Sequence, residues 1–168
     1  MIENPSKKFI RVIGIDPGTN ITGYGILDFY KTEKKTLPIA AGAFVLNKKK
    51  QPLQNRLAML ACEFRKILNQ YQPTQMCIEL SFVYLNPHTA LLLGHARGVL
   101  MSEAAQLGLE VFEISSTSAK KHVTGFGHAS KKLISETMTS LLKINKQQLP
   151  LDATDALAIA YSHIISKI

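Results

Sequence analysis

The order of its apolar segments constrains the fold of this 168-residue chain more than any other feature. Segments with strand-like apolar patterns come first, and segments with helical spacing then alternate with them. The predicted strands are 9–16, 21–29, 39–46, 75–79 and 109–114, and the predicted helices begin at Pro52 and span 87–107, 116–123, 130–142 and 152–166. The first three strands are expected to form an antiparallel meander. The whole order, βββαβαβααα, predicts an α/β fold with a five-stranded mixed sheet and helices on both faces.

The apolar periodicity runs nearly from end to end, without an internal repeat or a low-complexity linker. Residues 9–168 are therefore predicted to form one domain, and residues 1–8 a flexible N-terminal extension. This start contains no apolar signal core, so no export or membrane insertion is expected and a cytoplasmic location is predicted. Cys62 and Cys77 lack metal-ligand spacing and are predicted to be reduced, buried thiols.

The formal charge of +8 comes from 20 Lys and Arg residues against 12 Asp and Glu residues. A basic surface of this size attracts polyanions, most obviously nucleic acid. Charge alone leaves open a basic protein with no specific partner, so the partner must be argued from individual residues.

Two acidic residues each stand at the end of a predicted strand. Asp16 closes the first strand, and Glu79 closes the fourth. Taken singly, each has a structural explanation, because Asp-Pro-Gly is an ordinary turn signal and a lone Glu can face solvent.

Asp152 and Asp155 stand at i and i+3 at the start of the last helix. Side chains with this spacing lie on one helix face, about 5–6 Å apart at Cβ. Helix capping is the alternative explanation, since Asp at a helix start satisfies free N–H groups. The small apolar residues around them indicate a helix packed closely on the sheet, where a carboxylate needs a partner.

The four acids together favour a metal site over four separate structural roles. Carboxylates that converge raise one another's pKa unless cations neutralise them. Hard oxygen ligands select Mg²⁺ or Mn²⁺, and no Cys/His set competes. A pair of such ions about 3.5–4 Å apart can act on both the attacking and leaving oxygens of a phosphodiester.

Four motifs, in order and covering nearly the whole chain, resemble the RuvC family. They are Ile13-Gly14-Ile15-Asp16-Pro17-Gly18-Thr19 with Thr22-Gly23-Tyr24-Gly25, Ile78-Glu79 followed by Phe82, Leu93-Gly94-His95-Ala96-Arg97-Gly98, and Asp152-Ala153-Thr154-Asp155-Ala156-Leu157-Ala158-Ile159-Ala160. These crossover-junction endodeoxyribonucleases resolve Holliday junctions in DNA recombination and repair and have a ribonuclease H-like fold. The resemblance therefore implies a Mg²⁺-dependent nuclease, with two ions and Mn²⁺ as a substitute, that makes symmetric nicks with 5′-phosphate ends.

The resemblance also implies roles for single residues. Asp16, Glu79, Asp152 and Asp155 match the catalytic, metal-binding acids. Lys120 and Lys131 match residues that face DNA, and Phe82 matches an aromatic that stacks on bases at the junction centre. A homodimer, four-way junction DNA and a branch-migration complex of the RuvA and RuvB type are the implied partners. From the sequence alone, a core aromatic would be preferred for Phe82.

Further basic residues surround a predicted helix start at Ser130. Ser130 is expected to be the N-cap, which places Lys131 and Lys132 in the first turn, where cations oppose the helix dipole. A phosphate bound by the free N–H groups and both lysines would offset that cost, although a solvated pair remains the alternative. His128 is the histidine with a plausible phosphate contact. The long helix 91–107 has apolar residues on more than one side, so one side is expected to pack on the sheet and another on a second subunit.

Three alternative functions stay open from the sequence. A nuclease of the same fold could process ribosomal RNA. Asp-x-Gly-Thr also opens the phosphate loop of actin-like ATPases, but those need two such domains. A junction-binding module without catalysis is disfavoured by the complete set of acids.

Overall fold

The computed structural model describes residues 9–47, 51–80, 86–145 and 149–167. The strands are β1 (Ile10–Asp16), β2 (Ile21–Tyr30), β3 (Lys35–Val45), β4 (Gln75–Leu80) and β5 (Glu110–Ser115). The helices are α1 (Leu53–Tyr71), α2 (Pro87–Gln106), α3 (Ser116–Thr124), α4 (Lys131–Leu142) and α5 (Leu151–Ile165). The predicted order of elements is confirmed.

The sheet has the strand order β3-β2-β1-β4-β5. β1, β2 and β3 pair antiparallel, which confirms the meander. β4 runs parallel to β1, and β5 runs parallel to β4. The carboxyl ends of β1, β4 and β5 therefore lie at one edge of the sheet, where sites of α/β proteins usually form.

Helices cover both faces of the sheet, because side chains along each strand alternate between the faces. On β1, Ile13 and Ile15 point into a core shared with α1 and α2. Val12 points to the other face, into a core shared with α3, α4 and α5. The predicted mixed sheet with helices on both faces is thus confirmed.

Glycines let α5 pack directly against the sheet backbone. A methyl group at Gly14 of β1 would overlap the backbone of Ala156 and Ala160, and one at Gly23 of β2 would overlap the carbonyl group of Asp152. α5 is accordingly buried along most of its length. This close approach places the first turn of α5 over the carboxyl end of β1.

Apart from one-residue shifts at many element ends, three details differ from the sequence predictions. β3 begins at Lys35, four residues before the predicted start, and includes Pro38. Pro38 is tolerated because β3 is an edge strand. Pro52 precedes α1 as its N-cap residue. The prediction that both thiols are buried is wrong for Cys62, which is exposed, and confirmed for Cys77.

Two sequence predictions concern residues outside the described ranges, namely the flexible extension 1–8 and the stacking role of Phe82. Over the described part of the chain, every helix is too short or too polar to span a membrane.

Candidate functional site

Asp16 and Glu79 come together through the parallel pairing of β1 and β4. Ile15 pairs with Ile78 in this register, so the next residue on each strand is an acid. Both side chains are half-buried at the carboxyl edge of the sheet. The adjoining turn is closed by Thr22, whose hydroxyl donates to the carbonyl oxygen of Gly18 at 2.6 Å. Glu79 lies near enough to Asp16 to contribute to the raised pKa of the Asp16 carboxyl.

Asp152 and Asp155 lie in the first two turns of α5, beside the ends of β1 and β2. Pro150 is the N-cap residue of this helix, and no side chain caps it. The capping explanation for these two acids is therefore not supported. The side chain of Asp155 is 14% exposed, against 32% for Asp152.

Asp16, Glu79 and Asp155 open on a cleft of about 270 Å³ between the sheet edge, α3, α4 and α5. Its charged lining residues are Asp16, Glu79, Asp155, Lys120 and Lys131. Asp16, Glu79 and Asp155, which are far apart in the sequence, thus share one cleft with two lysines. Asp152, the fourth predicted acid, does not line this cleft, and its Oδ1 lies 3.7 Å from Nζ of Lys131.

Lys131 lines the cleft and contacts both acids of α5. Its Nζ lies 3.0 Å from Oδ2 of Asp155 and 3.7 Å from Oδ1 of Asp152. Burial lowers the pKa of Lys131, but the hydrogen bond to Asp155 and the surrounding carboxylates outweigh it and raise that pKa overall. Lys131 is therefore a stable cation that partly neutralises the acids.

One lysine does not neutralise the whole cluster. The pKa of Asp16 rises from its ordinary value of 3.8 to about 8, because the carboxyl is buried and lies near Glu79 and Asp155. Without a metal ion, the cleft therefore favours the protonated form of Asp16. Additional positive charge in the cleft would favour the ionised form of Asp16.

The donor set fits hard divalent cations, since every acidic ligand candidate offers carboxylate oxygens. Within residues 9–47, 51–80, 86–145 and 149–167, no three His, Cys, Asp or Glu side chains are closed around one point at metal-ligand spacing. The ammonium group of Lys131 lies within 4 Å of a carboxylate oxygen of each α5 acid, at 3.7 Å from Asp152 and 3.0 Å from Asp155. Asp16, Glu79, Asp152 and Asp155 would hold such a cation, which would compete with Lys131 for the two α5 acids.

Arg97 of α2 fixes the position of Glu79. Its Nη1 donates to the carbonyl oxygen of Glu79, and its Nη2 pairs with the carboxylate of Glu113 on β5. The Arg97 side chain is only 13% exposed. Arg97 belongs to the motif Leu93-Gly94-His95-Ala96-Arg97-Gly98, but its role could not be predicted from the sequence, because its partners become neighbours only through the parallel sheet.

The residues predicted to contact DNA lie in different surroundings. Ser130 is confirmed as the N-cap of α4, since its hydroxyl accepts from the Leu133 N–H at 3.2 Å. Lys120 is half-buried in the cleft lining, whereas Lys132 and His128 are exposed outside that lining. The DNA contacts of these residues stay predictions.

Comparison with known proteins identifies the family. The family model described as crossover junction endodeoxyribonuclease RuvC matches residues 12–163. A protein of that name from Nitrosomonas eutropha is 39% identical over 159 residues, covering 95% of this chain and 86% of that protein. Another from Magnetococcus marinus is 39% identical over 155 residues, covering 92% and 84%.

Solved structures agree in fold. The structure described as Thermus thermophilus RuvC in complex with a Holliday junction substrate has a TM-score of 0.84 at 24% identity, covering 94% of each chain. This likeness confirms the predicted ribonuclease H-like fold. With the family model and the curated relatives in agreement over nearly the whole sequence, the chain belongs to the RuvC family of crossover junction endodeoxyribonucleases.

Proposed function

We propose that this chain resolves four-way DNA junctions by hydrolysing phosphodiester bonds at the cleft that contains Asp16, Glu79 and Asp155. The observation that carries the proposal is the convergence of these acids with Lys120 and Lys131 on one cleft at the carboxyl edge of the sheet. Metal ions held by the acids and the ammonium groups of the bordering lysines could together bind a DNA phosphate from several sides. Residues 9–168 act as one nuclease domain in this proposal.

The family is one of metal-dependent nucleases. We propose Mg²⁺ as the metal, with Mn²⁺ as a substitute and two ions held by Asp16, Glu79, Asp152 and Asp155. When bound, such a pair supplies positive charge that stabilises both the attacking and the leaving oxygen of the phosphodiester. The raised pKa of Asp16 is consistent with this assignment, because the carboxyl is buried and lies near Glu79 and Asp155, and a bound cation would favour its ionised form.

The lysines of the cleft hold the substrate. Lys120 lies in the wall formed by α3, and Lys131 lies at the start of α4, whose free N–H groups also attract phosphate. We propose that Lys131 exchanges part of its contact with Asp155 for a DNA phosphate when the acids take up metal. Lys132, exposed in the same helical turn, contacts the neighbouring backbone.

We also propose a homodimer, because a two-fold symmetric junction requires two equivalent cuts. Leu91 of α2, which is 61% exposed while Ala96 and Leu100 of the same helix are buried in the core, supports a second apolar contact on this helix. Phe82 is proposed to stack on bases at the junction centre. A branch-migration complex of the RuvA and RuvB type and a cytoplasmic location follow from the family resemblance.

Cleavage assays test this function directly. A labelled four-way junction, a linear DNA duplex of the same sequence and an RNA duplex are each incubated with the protein, with and without Mg²⁺. We expect paired, symmetric nicks with 5′-phosphate and 3′-hydroxyl ends in the junction with Mg²⁺ only. Preferred cutting of the RNA duplex would instead support the ribosomal-RNA-processing alternative.

A further inference from the structure

Phe126, in the loop between α3 and α4, exposes its aromatic ring to solvent. The side chain is 69% exposed, the largest value among the exposed large hydrophobic residues of the described ranges. It stands between Gly125 and Gly127, so neither neighbour in the sequence has a side chain that could cover the ring. A single exposed apolar side chain is ordinary, so its meaning depends on how and where it is held.

The backbone of Phe126 is fixed although its side chain is not packed. Its N–H donates to Oγ1 of Thr124 at 3.2 Å, and its carbonyl oxygen accepts from the Ala129 N–H at 3.3 Å. Gly125 ends α3 in the left-handed region, at φ 81°, and its N–H donates to the Lys121 carbonyl oxygen at 2.9 Å. The loop therefore holds the backbone of Phe126 in a defined place, and a contact made by the ring does not require ordering of the backbone.

The loop lies beside the carboxylate cleft. A methyl group at Gly127 would come within 2.7 Å of Cγ2 of Thr117, so the loop packs back on the first turn of α3. The residue before Thr117 is Ser116, which lines the cleft. On its other side the loop leads into Lys131, which contacts Asp155. Phe126 thus stands in a loop that connects two walls of the cleft proposed to receive the DNA strand.

The chemistry of the side chain limits what it can contact there. A phenyl ring has no hydrogen-bonding group, so it gains most from stacking on a flat apolar surface. In a linear duplex the faces of the bases are covered by their neighbours, whereas a branch point interrupts the stack. We propose that Phe126 stacks on a base exposed at the branch of the junction and so favours branched over linear DNA. This inference rests on the proposed function.

Binding measurements with the full-length protein test it, in EDTA so that no DNA is cut. Phe126→Ala should weaken junction binding about tenfold, equivalent to about 1.4 kcal/mol, and leave the affinity for a linear duplex unchanged. Phe126→Trp should keep the wild-type junction affinity. Leu141→Ala is the matched control, because Leu141 is 48% exposed but lies about 15 Å further along α4 than Lys131. It should bind both DNAs as the wild type does.

A second readout does not depend on the alanine variant. The chain contains no Trp, so Phe126→Trp introduces a single one. We expect its fluorescence to be quenched by the junction and not by the duplex. Equal quenching by both DNAs, or equal loss of affinity for both in Phe126→Ala, would overturn the inference, as would unchanged junction binding. If the wild type itself neither prefers nor cuts the junction, the proposed function fails instead.

Discussion

Gly23 packs directly against the carbonyl group of Asp152. The Cβ atom of any larger residue at position 23 would overlap that carbonyl oxygen. Gly23 is also the partner of Asp16 in the β1–β2 ladder. One glycine thus sets the distance between the acid that ends β1 and the helix that carries the α5 acids. The site depends on backbone packing as much as on the acids themselves.

Gly23→Ala should therefore disturb both the fold and the site. The added methyl group must push α5 away from β2, which should lower the free energy of unfolding by about 1–3 kcal/mol. Junction cleavage should fall as well, because Asp152 moves with the helix. Urea unfolding and a cleavage assay measure the two effects. Ile21→Ala, at a position on the same strand that is 43% exposed, should cost about 1 kcal/mol or less. A Gly23→Ala variant with wild-type stability and rate would show that α5 does not press on β2.

Asp16→Asn should stabilise the metal-free protein in alkaline solution. The folded pKa of Asp16 is raised to about 8, so the folded state holds more protons than the unfolded state between the two pKa values. Wild-type stability should then fall as the pH rises from about 4 to about 8, while the variant lacks this loss.

The corresponding measurement is thermal unfolding of both proteins across that pH range. In EDTA at pH 8.5 the variant should melt at least about 3 °C higher than the wild type, and near pH 4 the two should coincide. Mg²⁺ should raise the Tm of the wild type more than that of the variant, and only the wild type should cut junctions. Parallel pH profiles of Tm would contradict the raised pKa.

Lys131→Ala and Lys132→Ala should separate metal binding from DNA binding. Each variant should lower the salt dependence of junction binding by about one unit. Only Lys131→Ala should also tighten metal binding without DNA, because Lys131 is the ammonium group that contacts Asp155 at 3.0 Å. Manganese titration by calorimetry checks this difference. Equal metal affinity in both variants would mean that Lys131 does not compete with the metal.

Arg97→Lys should slow cleavage about ten- to a hundred-fold while junction affinity changes little. Lysine lacks the fork that holds the Glu79 carbonyl and the Glu113 carboxylate together. Arg65→Lys is a matched control, because Arg65 forms a similar fork with Glu103 at 2.6 and 2.8 Å between α1 and α2. Single-turnover rates should be near wild type in the control. The same loss of rate in both variants would point to general destabilisation.

The sequence was sufficient to predict the elements and their order, because strand and helix periodicities are local signals. It missed the start of β3, since Pro38 argues against a strand unless that strand is known to be at the edge. The burial of Cys62 was also predicted wrongly. The buried face of α1 consists of Leu60, Phe64 and Leu68, and Cys62 lies on the exposed side of the helix.

The acids were identified from the sequence, but the side-chain contacts that hold them in place were not. Asp16 ends β1 and Glu79 is the last residue but one of β4, and local strand patterns are enough to predict both positions. The contacts of Arg97 with Glu79 and of Lys131 with Asp155 join elements that are distant in the sequence. Such contacts depend on strand register and helix packing, which periodicity alone does not fix.

Anomalous diffraction from crystals soaked in manganese would test the carboxylate site most directly. We expect manganese peaks between the side chains of Asp16, Glu79, Asp152 and Asp155, with Nζ of Lys131 further from Asp155 than 3.0 Å. Crystals without manganese among these oxygens, from a protein that cuts junctions in the same manganese solution, would contradict the assignment of these acids as metal ligands.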